Sequence, residues 1–348
     1  MRIVFVKNLN VDEVITKNVL NGDGKILLKA GTKITREHIN YLKSSMIVFV
    51  YVEDEMLSDV RIDFEMEILK EGVLNKMPRM FDEIVSGNYV ESTEALKNVE
   101  TLVDHIIEEG EVNTNLFEVK TYDDYTYIHS LDTSIMASFL GISLGYDENR
   151  LKELSKAAIL HDIGKIKGDN ELINKSGDLT NEEFSEVKRH AIYGYEILKS
   201  AEGISEEIIK GVAEHHERVD GKGYPLGLKG DKISQFAKII SVCDVFTAVS
   251  ANRCYRDRFD PKEAYELILS GSGTMFDPMI VNKFRETFYV YPLGCHVKLS
   301  NNKEGYVVKQ NKKFPDRPII RIIEGDNQFF YEFDLLQNTN VVIEEIIM

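Results

Sequence analysis

His161-Asp162-Ile163-Gly164-Lys165 is the stretch of this 348-residue chain from which its architecture is read. Leu151, Leu154 and Ala158 precede it at helical spacing, which predicts that His161 and Lys165, four apart, share a helix's inward face. Asp162 then lies about 100° further round the helix. Ionisable groups on a buried face are costly unless something pairs with them. A metal ion is the most economical partner, since adjacent His and Asp side chains can hold neighbouring ions with the carboxylate bridging. A core histidine beside an N-cap aspartate is the plainer reading of that pair alone; the sequence downstream decides against it.

Working outward, the block from about Tyr122 to Tyr289 reads as a series of helices, each presenting a metal-capable side chain inward. His129 heads a stripe with Thr133, Met136 and Leu140. Thr180 and Glu183 form a capping box, opening a helix whose stripe is Phe184, Val187, Ala191, Tyr195 and Leu198, with His190 at its border. Ser205 caps a further helix in which Ile208 and Val212 lead to His215, and Ile209 leads to His216. Asp244 sits in the middle of the stripe Ile233, Phe236, Ala237, Ile240, Thr247 and Ala248, where a carboxylate calls for a cation. Five of the chain's eight histidines fall between positions 129 and 216. Mixed His/Asp ligation without thiolate suits iron or manganese, and zinc less exclusively. A structural zinc site would favour cysteine.

The second decisive stretch is His215-His216-Glu217-Arg218-Val219-Asp220-Gly221-Lys222-Gly223-Tyr224-Pro225. Its glycines, continuing to Gly230, permit tight turns and close backbone approach to a ligand. Tyr224 is placed to stack on a base or hydrogen-bond a phosphate, and Arg253 with Arg256 can clamp phosphate or a guanine edge. The net charge of −16 excludes general binding to nucleic-acid polymers or a membrane surface. It does not exclude a small anion, because His215 to Arg258 holds eight Lys/Arg against five Asp/Glu.

The flanks differ in pattern. Residues 1–56 read as a small α/β unit, with Val19-Leu20 and Ile26-Leu28 flanking the turn Asn21-Gly22-Asp23-Gly24, a helix over Thr35 to Leu42 and a strand over Ile47 to Val52. Residues 57–121 read as a helical linker with two helices, Asp63 to Val85 and Glu91 to Glu109. Residues 290–348 alternate in four or five short strands, suggesting a small β-barrel or roll. His38, His105 and His296 have no partners in this pattern and are expected to be structural. Cys243, Cys254 and Cys295 lack metal spacing and read as reduced thiols of a cytoplasmic protein. The longest apolar run, Met46 to Val52, is too short to span a membrane, and the N-terminal Ile-Val-Phe-Val is too short for a signal peptide. The fold expected is therefore mainly α, a helical metal-binding domain over 122–289 between two small units.

H-D-I-G-K at 161–165 and H-H-E-R-V-D-G-K-G-Y-P at 215–225 resemble the two signatures of the HD-GYP family of bacterial cyclic di-GMP phosphodiesterases, a branch of the HD metal-dependent phosphohydrolases. Arg253-Cys254-Tyr255-Arg256 resembles that family's R-x-Y-R segment, and residues 1–56 look like a small regulatory domain often joined to such proteins. The resemblance implies metal ligation by His129, His161, Asp162, His190, His215, His216 and Asp244, the set that the helical stripes select. It implies that Asp162 and Lys165 act at the scissile phosphate, and that Lys165, Tyr224, Arg253 and Arg256 contact substrate. Two departures stand out: Thr247 replaces an aspartate found in many members, and Tyr125 replaces a glutamate that supports a third ion in some. Two transition-metal ions, iron or manganese, are therefore expected. The reaction implied is hydrolysis of cyclic di-GMP to pGpG, and on to GMP in some members, by in-line attack of a hydroxide bridging the metals. Another cyclic dinucleotide such as cyclic GMP-AMP, or a receptor role without cleavage, are the alternatives, and a homodimer is left open.

Overall fold

Caps written in the sequence start several of the helices of the computed structural model. It describes residues 1–21, 25–45, 47, 49–59, 64–87, 89–109, 125–169, 172, 175, 177, 179–253, 261–311, 314–324 and 329–347. Helix α6 (Glu148–Ile159) begins where the Asp147 carboxylate accepts from the Arg150 amide. Helix α7 (Asn181–Lys188) begins at the reciprocal Thr180/Glu183 box, and α9 (Glu206–Glu214) at the Ser205 hydroxyl. Each cap satisfies an amide that the first helical turn leaves without a partner. With α5 (Tyr125–Ser143), α8 (His190–Lys199) and α10 (Gln235–Arg253) they build the central block. α5 packs on α6 and α10, and α9 on α6, α8 and α10. Helices α11 (Pro261–Ser270) and α12 (Pro278–Thr287) close the block, and Phe236, Phe246, Phe284 and Phe288 are fully buried in its core.

Several expectations need correction. The predicted helix from Asp63 to Val85 is two helices, α2 (Phe64–Leu74) and α3 (Met77–Ser86). Pro78 explains the break: it has no amide to donate and its ring would meet the carbonyl of Leu74. α4 (Tyr89–Glu109) follows and packs against α6. The stripe from Phe184 to Leu198 is likewise divided between α7 and α8 at Arg189, and α7 buries none of its residues. Phe184 is 46% exposed. Third, His161 and Asp162 do not lie on α6. The helix stops at Ile159, and the chain tightens into a 3-10 turn, Ile163–Lys167, through the bonds Ile163 N to Leu160 O and Lys165 N to Asp162 O.

In the N-terminal unit, β2 (Val19–Leu20) pairs with β3 (Ile26–Leu28) as the turn signal predicts; the tip at 22–24 lies outside the described residues. Helix α1 (Arg36–Ser44) is capped by Thr35, with the half-buried His38 completing a capping box. Strand β4 (Phe49–Val52) pairs with β1 (Arg2–Phe5), a strand the sequence reading did not anticipate. At the C-terminus, β5 (His296–Leu299), β6 (Glu304–Lys309), β7 (Ile319–Glu324), β8 (Phe329–Asp334) and β9 (Ile343–Ile346) form an open antiparallel sheet in the order β8-β7-β6-β5-β9. It does not close into a barrel, one of the two forms expected. Val297, Leu299, Val307, Ile320 and Ile322 turn into the same core as the helices, so the apolar face is covered without closure. The two ends of the chain meet here. Arg321 donates to both oxygens of Asp59 at 2.7 Å and to the Met56 carbonyl, and the Ile3 amide bonds the Gly294 carbonyl. Among the described residues, no helix is long and apolar enough to cross a membrane.

Candidate metal centre

All seven sequence-predicted ligands converge in one buried cluster. His129 comes from α5, His161 and Asp162 from the turn after α6, His190 from the first position of α8, His215 and His216 from the end of α9, and Asp244 from the middle of α10. His161 and His215 are wholly inaccessible, and Asp162 is 2% exposed. His129 Nε2 lies 3.0 Å from Asp244 Oδ1, His161 Nε2 3.2 Å from Asp162 Oδ2, and His190 Nε2 3.6 Å from Asp162 Oδ1. Asp162 thus stands between His161 and His190. Three overlapping sets of donor atoms each fall within 4.8 Å: His190, His215 and His216; His129, His161 and Asp162; His161, His215 and Asp244.

Local backbone geometry decides which ring nitrogen faces inward. His161 Nδ1 lies 2.7 Å from the Ala158 carbonyl, His190 Nδ1 2.7 Å from Val187 and His215 Nδ1 2.6 Å from Val212, always three residues back. A carbonyl can only accept, so each Nδ1 carries a proton, and in its neutral form each ring turns a bare Nε2 lone pair into the cluster. His190 Nε2 and His215 Nε2 then face each other at 3.5 Å, and buried His161 Nε2 has no hydrogen-bond partner among the described residues. Lone pairs aimed at one another and at carboxylates repel unless a cation sits among them. The donor set therefore fits metal ions, with imidazole and carboxylate but no thiolate.

The electrostatics agree. Burial pushes His216 down to about 3 and depresses His129, His190 and His215 as well, so these rings stay neutral and ligand-competent. Burial also opposes charge on Asp162 and Asp244. His161 and Lys165 outweigh it at Asp162, and the His129 hydrogen bond with His161 outweighs it at Asp244, so both carboxyls lie well below the usual range. At His161 burial again works against protonation, but Asp162 and Asp244 overcome it and raise the ring's pKa.

Lys165 Nζ donates to Asp162 Oδ2 at 2.5 Å, from a side chain one-quarter exposed at the edge of the cluster. The Tyr224 ring packs on His216 at 4.6 Å between centroids with a 32° tilt. Arg253 ends α10, but its side chain and all of Arg256 lie outside what is described. Tyr125 opens α5 under the same restriction, and Asp124 precedes the described residues.

Some contributors escaped the sequence reading. A Cβ at Gly164 would lie 1.9 Å from the His190 carbonyl oxygen, so only glycine lets the His161-Asp162 turn reach α8. Glu217 accepts from the amides of Leu226 at 2.6 Å and Leu228 at 2.9 Å, folding the loop that carries Tyr224. At Gly223 a Cβ would meet the backbone of Glu217 and Arg218 within 2.5 Å. Thr247, foreseen only as a departure, has its hydroxyl 3.0 Å from His129 Nδ1 and from Thr133 Oγ1, and it also donates to the carbonyls of Cys243 and Asp244.

Residues 116–280 match the HD domain family. Over 270 residues the chain is 30% identical to cyclic di-GMP phosphodiesterase PA4108 of Pseudomonas aeruginosa, covering 76% of this chain and 65% of that protein. The chain thus spans just under two thirds of that relative's length. It is 32% identical over 168 residues to the 3'3'-cGAMP-specific phosphodiesterase 3 of Vibrio cholerae, covering 48% of this chain and 36% of that one. Among solved structures it resembles Bd1817, an HDG"Y"P protein from Bdellovibrio bacteriovorus, with a TM-score of 0.56 at 17% identity, covering 81% of this chain and 97% of that one. That likeness supports the fold.

Proposed function

We propose that the chain is a member of the HD-GYP family and a metal-dependent phosphodiesterase hydrolysing cyclic di-GMP to linear pGpG. The observation that carries this reading is the inward set of histidine Nε2 atoms around Asp162 and Asp244, with Lys165 at its edge. His129, His161, Asp162, His190, His215, His216 and Asp244 would hold two ions, iron or manganese. Bound there, the ions supply Lewis acidity and lower the pKa of water at neutral pH.

The protein's own groups do the rest. Lys165 holds a positive charge beside Asp162, where the equatorial oxygens of a phosphoryl group would gather charge in the transition state. Its pKa, lowered by burial but raised more by Asp162, stays above the ordinary lysine value, so it donates rather than accepts a proton. Tyr224, with its hydroxyl pushed up by burial, remains a neutral phenol and a donor to phosphate or base. Arg253 and Arg256 complete the ligand contacts in this reading.

The test is turnover by anaerobically prepared protein loaded with iron or manganese, against cyclic di-GMP and cyclic GMP-AMP in parallel. Linear pGpG as the main product supports the proposal. Preference for cyclic GMP-AMP would move the assignment to the substrate of the Vibrio cholerae relative, the second reading that the similarity favours. Tight binding of cyclic di-GMP without cleavage of either compound would make the protein a receptor.

A further inference from the structure

A cyclic dinucleotide carries two phosphodiesters, and the metal cluster with Lys165 addresses only one. In a chain of net charge −16 the second calls for a further cation, beside the Arg253 and Arg256 contacts that the resemblance implies. Other lysines of the central block are matched to acids: Lys165 to Asp162, Lys152 to Asp104 and Glu148, Lys175 to Glu183, Lys238 to Asp277. Lys188 is different. Its ammonium lies 4.3 Å from the centroid of the Phe184 ring and 5.4 Å from that of Tyr224, and no carboxylate among the described residues pairs with it.

The placement is specific. Phe184 and Lys188 are four apart on α7 and share one face, which accounts for an exposed aromatic on a helix that buries nothing. Val187, the neighbour of Lys188, gives its carbonyl to His190 Nδ1, so the end of α7 is registered directly on the metal centre. Tyr224, beneath the ammonium, packs on the ligand His216. A cation held on π faces is attracted modestly and stays free to move to a full negative charge.

We propose that Lys188, steadied by Phe184, is a substrate-positioning arm that takes the non-scissile phosphate of a cyclic dinucleotide. This rests on the phosphodiesterase reading above. Holding both phosphates orients the scissile one without adding to the chemistry at it, so the effect belongs in KM.

The test compares wild type with Lys188→Met and Lys188→Arg on two substrates: cyclic di-GMP, and bis(p-nitrophenyl) phosphate, which has one diester and no second phosphate. Lys188→Met should raise KM for cyclic di-GMP roughly tenfold, the scale of one lost charged contact, with kcat within about twofold. Its kcat/KM on the aryl diester should equal that of wild type, and Lys188→Arg should restore KM for the nucleotide. Unchanged KM for cyclic di-GMP in Lys188→Met overturns the arm and leaves the phosphodiesterase reading standing, and equal losses on both substrates make Lys188 a structural residue. Wild-type protein that cleaves the aryl diester but no cyclic dinucleotide overturns the substrate reading, and the arm with it.

Discussion

At the scale of single residues, the centre depends on which atom of each ring is left free. Thr247 performs for His129 what backbone carbonyls perform for His161, His190 and His215. Thr247→Val keeps the shape and removes the hydroxyl, leaving His129 Nδ1 without that acceptor. Metal affinity, read by chelator competition without reference to activity, should fall about 10- to 100-fold, while Thr247→Ser should stay near wild type. Lys165→Ala tests a different role: bound metal and substrate affinity should persist while turnover drops roughly 10²–10³-fold, and loss of metal in step with activity would assign Lys165 to the fold. That the candidate ligands would lie near one another was legible because His129, His215, His216 and Asp244 continue apolar stripes, whereas His161 and Asp162 sit on the turn after α6 and not on its stripe. Their orienting partners were not, because the carbonyls of Ala158, Val187 and Val212 are backbone groups that every residue has. Arg253 and Arg256 keep the status of ligand contacts inferred from resemblance, and Ala at either should weaken cyclic di-GMP binding in an equilibrium titration.

At the scale of elements, helix starts were legible and several ends were not. Asp147, Thr180 and Ser205 announce their helices through side chains. The end of α6 carries no such mark, since Leu160 and Ile163 prolong its apolar spacing and the tightening at His161 is forced from outside, by the approach of the turn to α8. Likewise the periodicity from Phe184 to Leu198 runs through Arg189, where the chain in fact changes helix. Gly164 makes the approach to α8 testable. Gly164→Ala must push the turn away from the His190 carbonyl, since the 1.9 Å separation involves backbone on both sides. The expected cost is about 1–3 kcal/mol or more of stability, read by denaturant unfolding. Metal content should fall with it, because His161 and Asp162 move away from His190.

For the whole molecule, strand number at the C-terminus followed from alternation, but pairing order did not. Nothing in a short alternating segment says whether β8 and β9 meet, and here they are the two edges. Ion stoichiometry belongs to this scale as well. Elemental analysis of anaerobically purified protein should give two ions per chain, rising to three in Tyr125→Glu. Chelation should lower the melting temperature by several degrees, since a ligand at ~1,000 times its Kd contributes about 4 kcal/mol. The long separation in sequence of the groups that meet has a further consequence, which concerns time. His129 and Asp244 are 115 positions apart and touch at 3.0 Å, with only 6% and 8% of their surfaces exposed. Contacts of such range close after the local helices have formed, and an ion held by donors from several helices is released most readily when those helices part. Exchange of bound metal for an isotope in solution should therefore be slow, and should quicken under mild denaturant in proportion to the opening of the fold. In this protein the residence time of the ion is a clock for the motion of the chain.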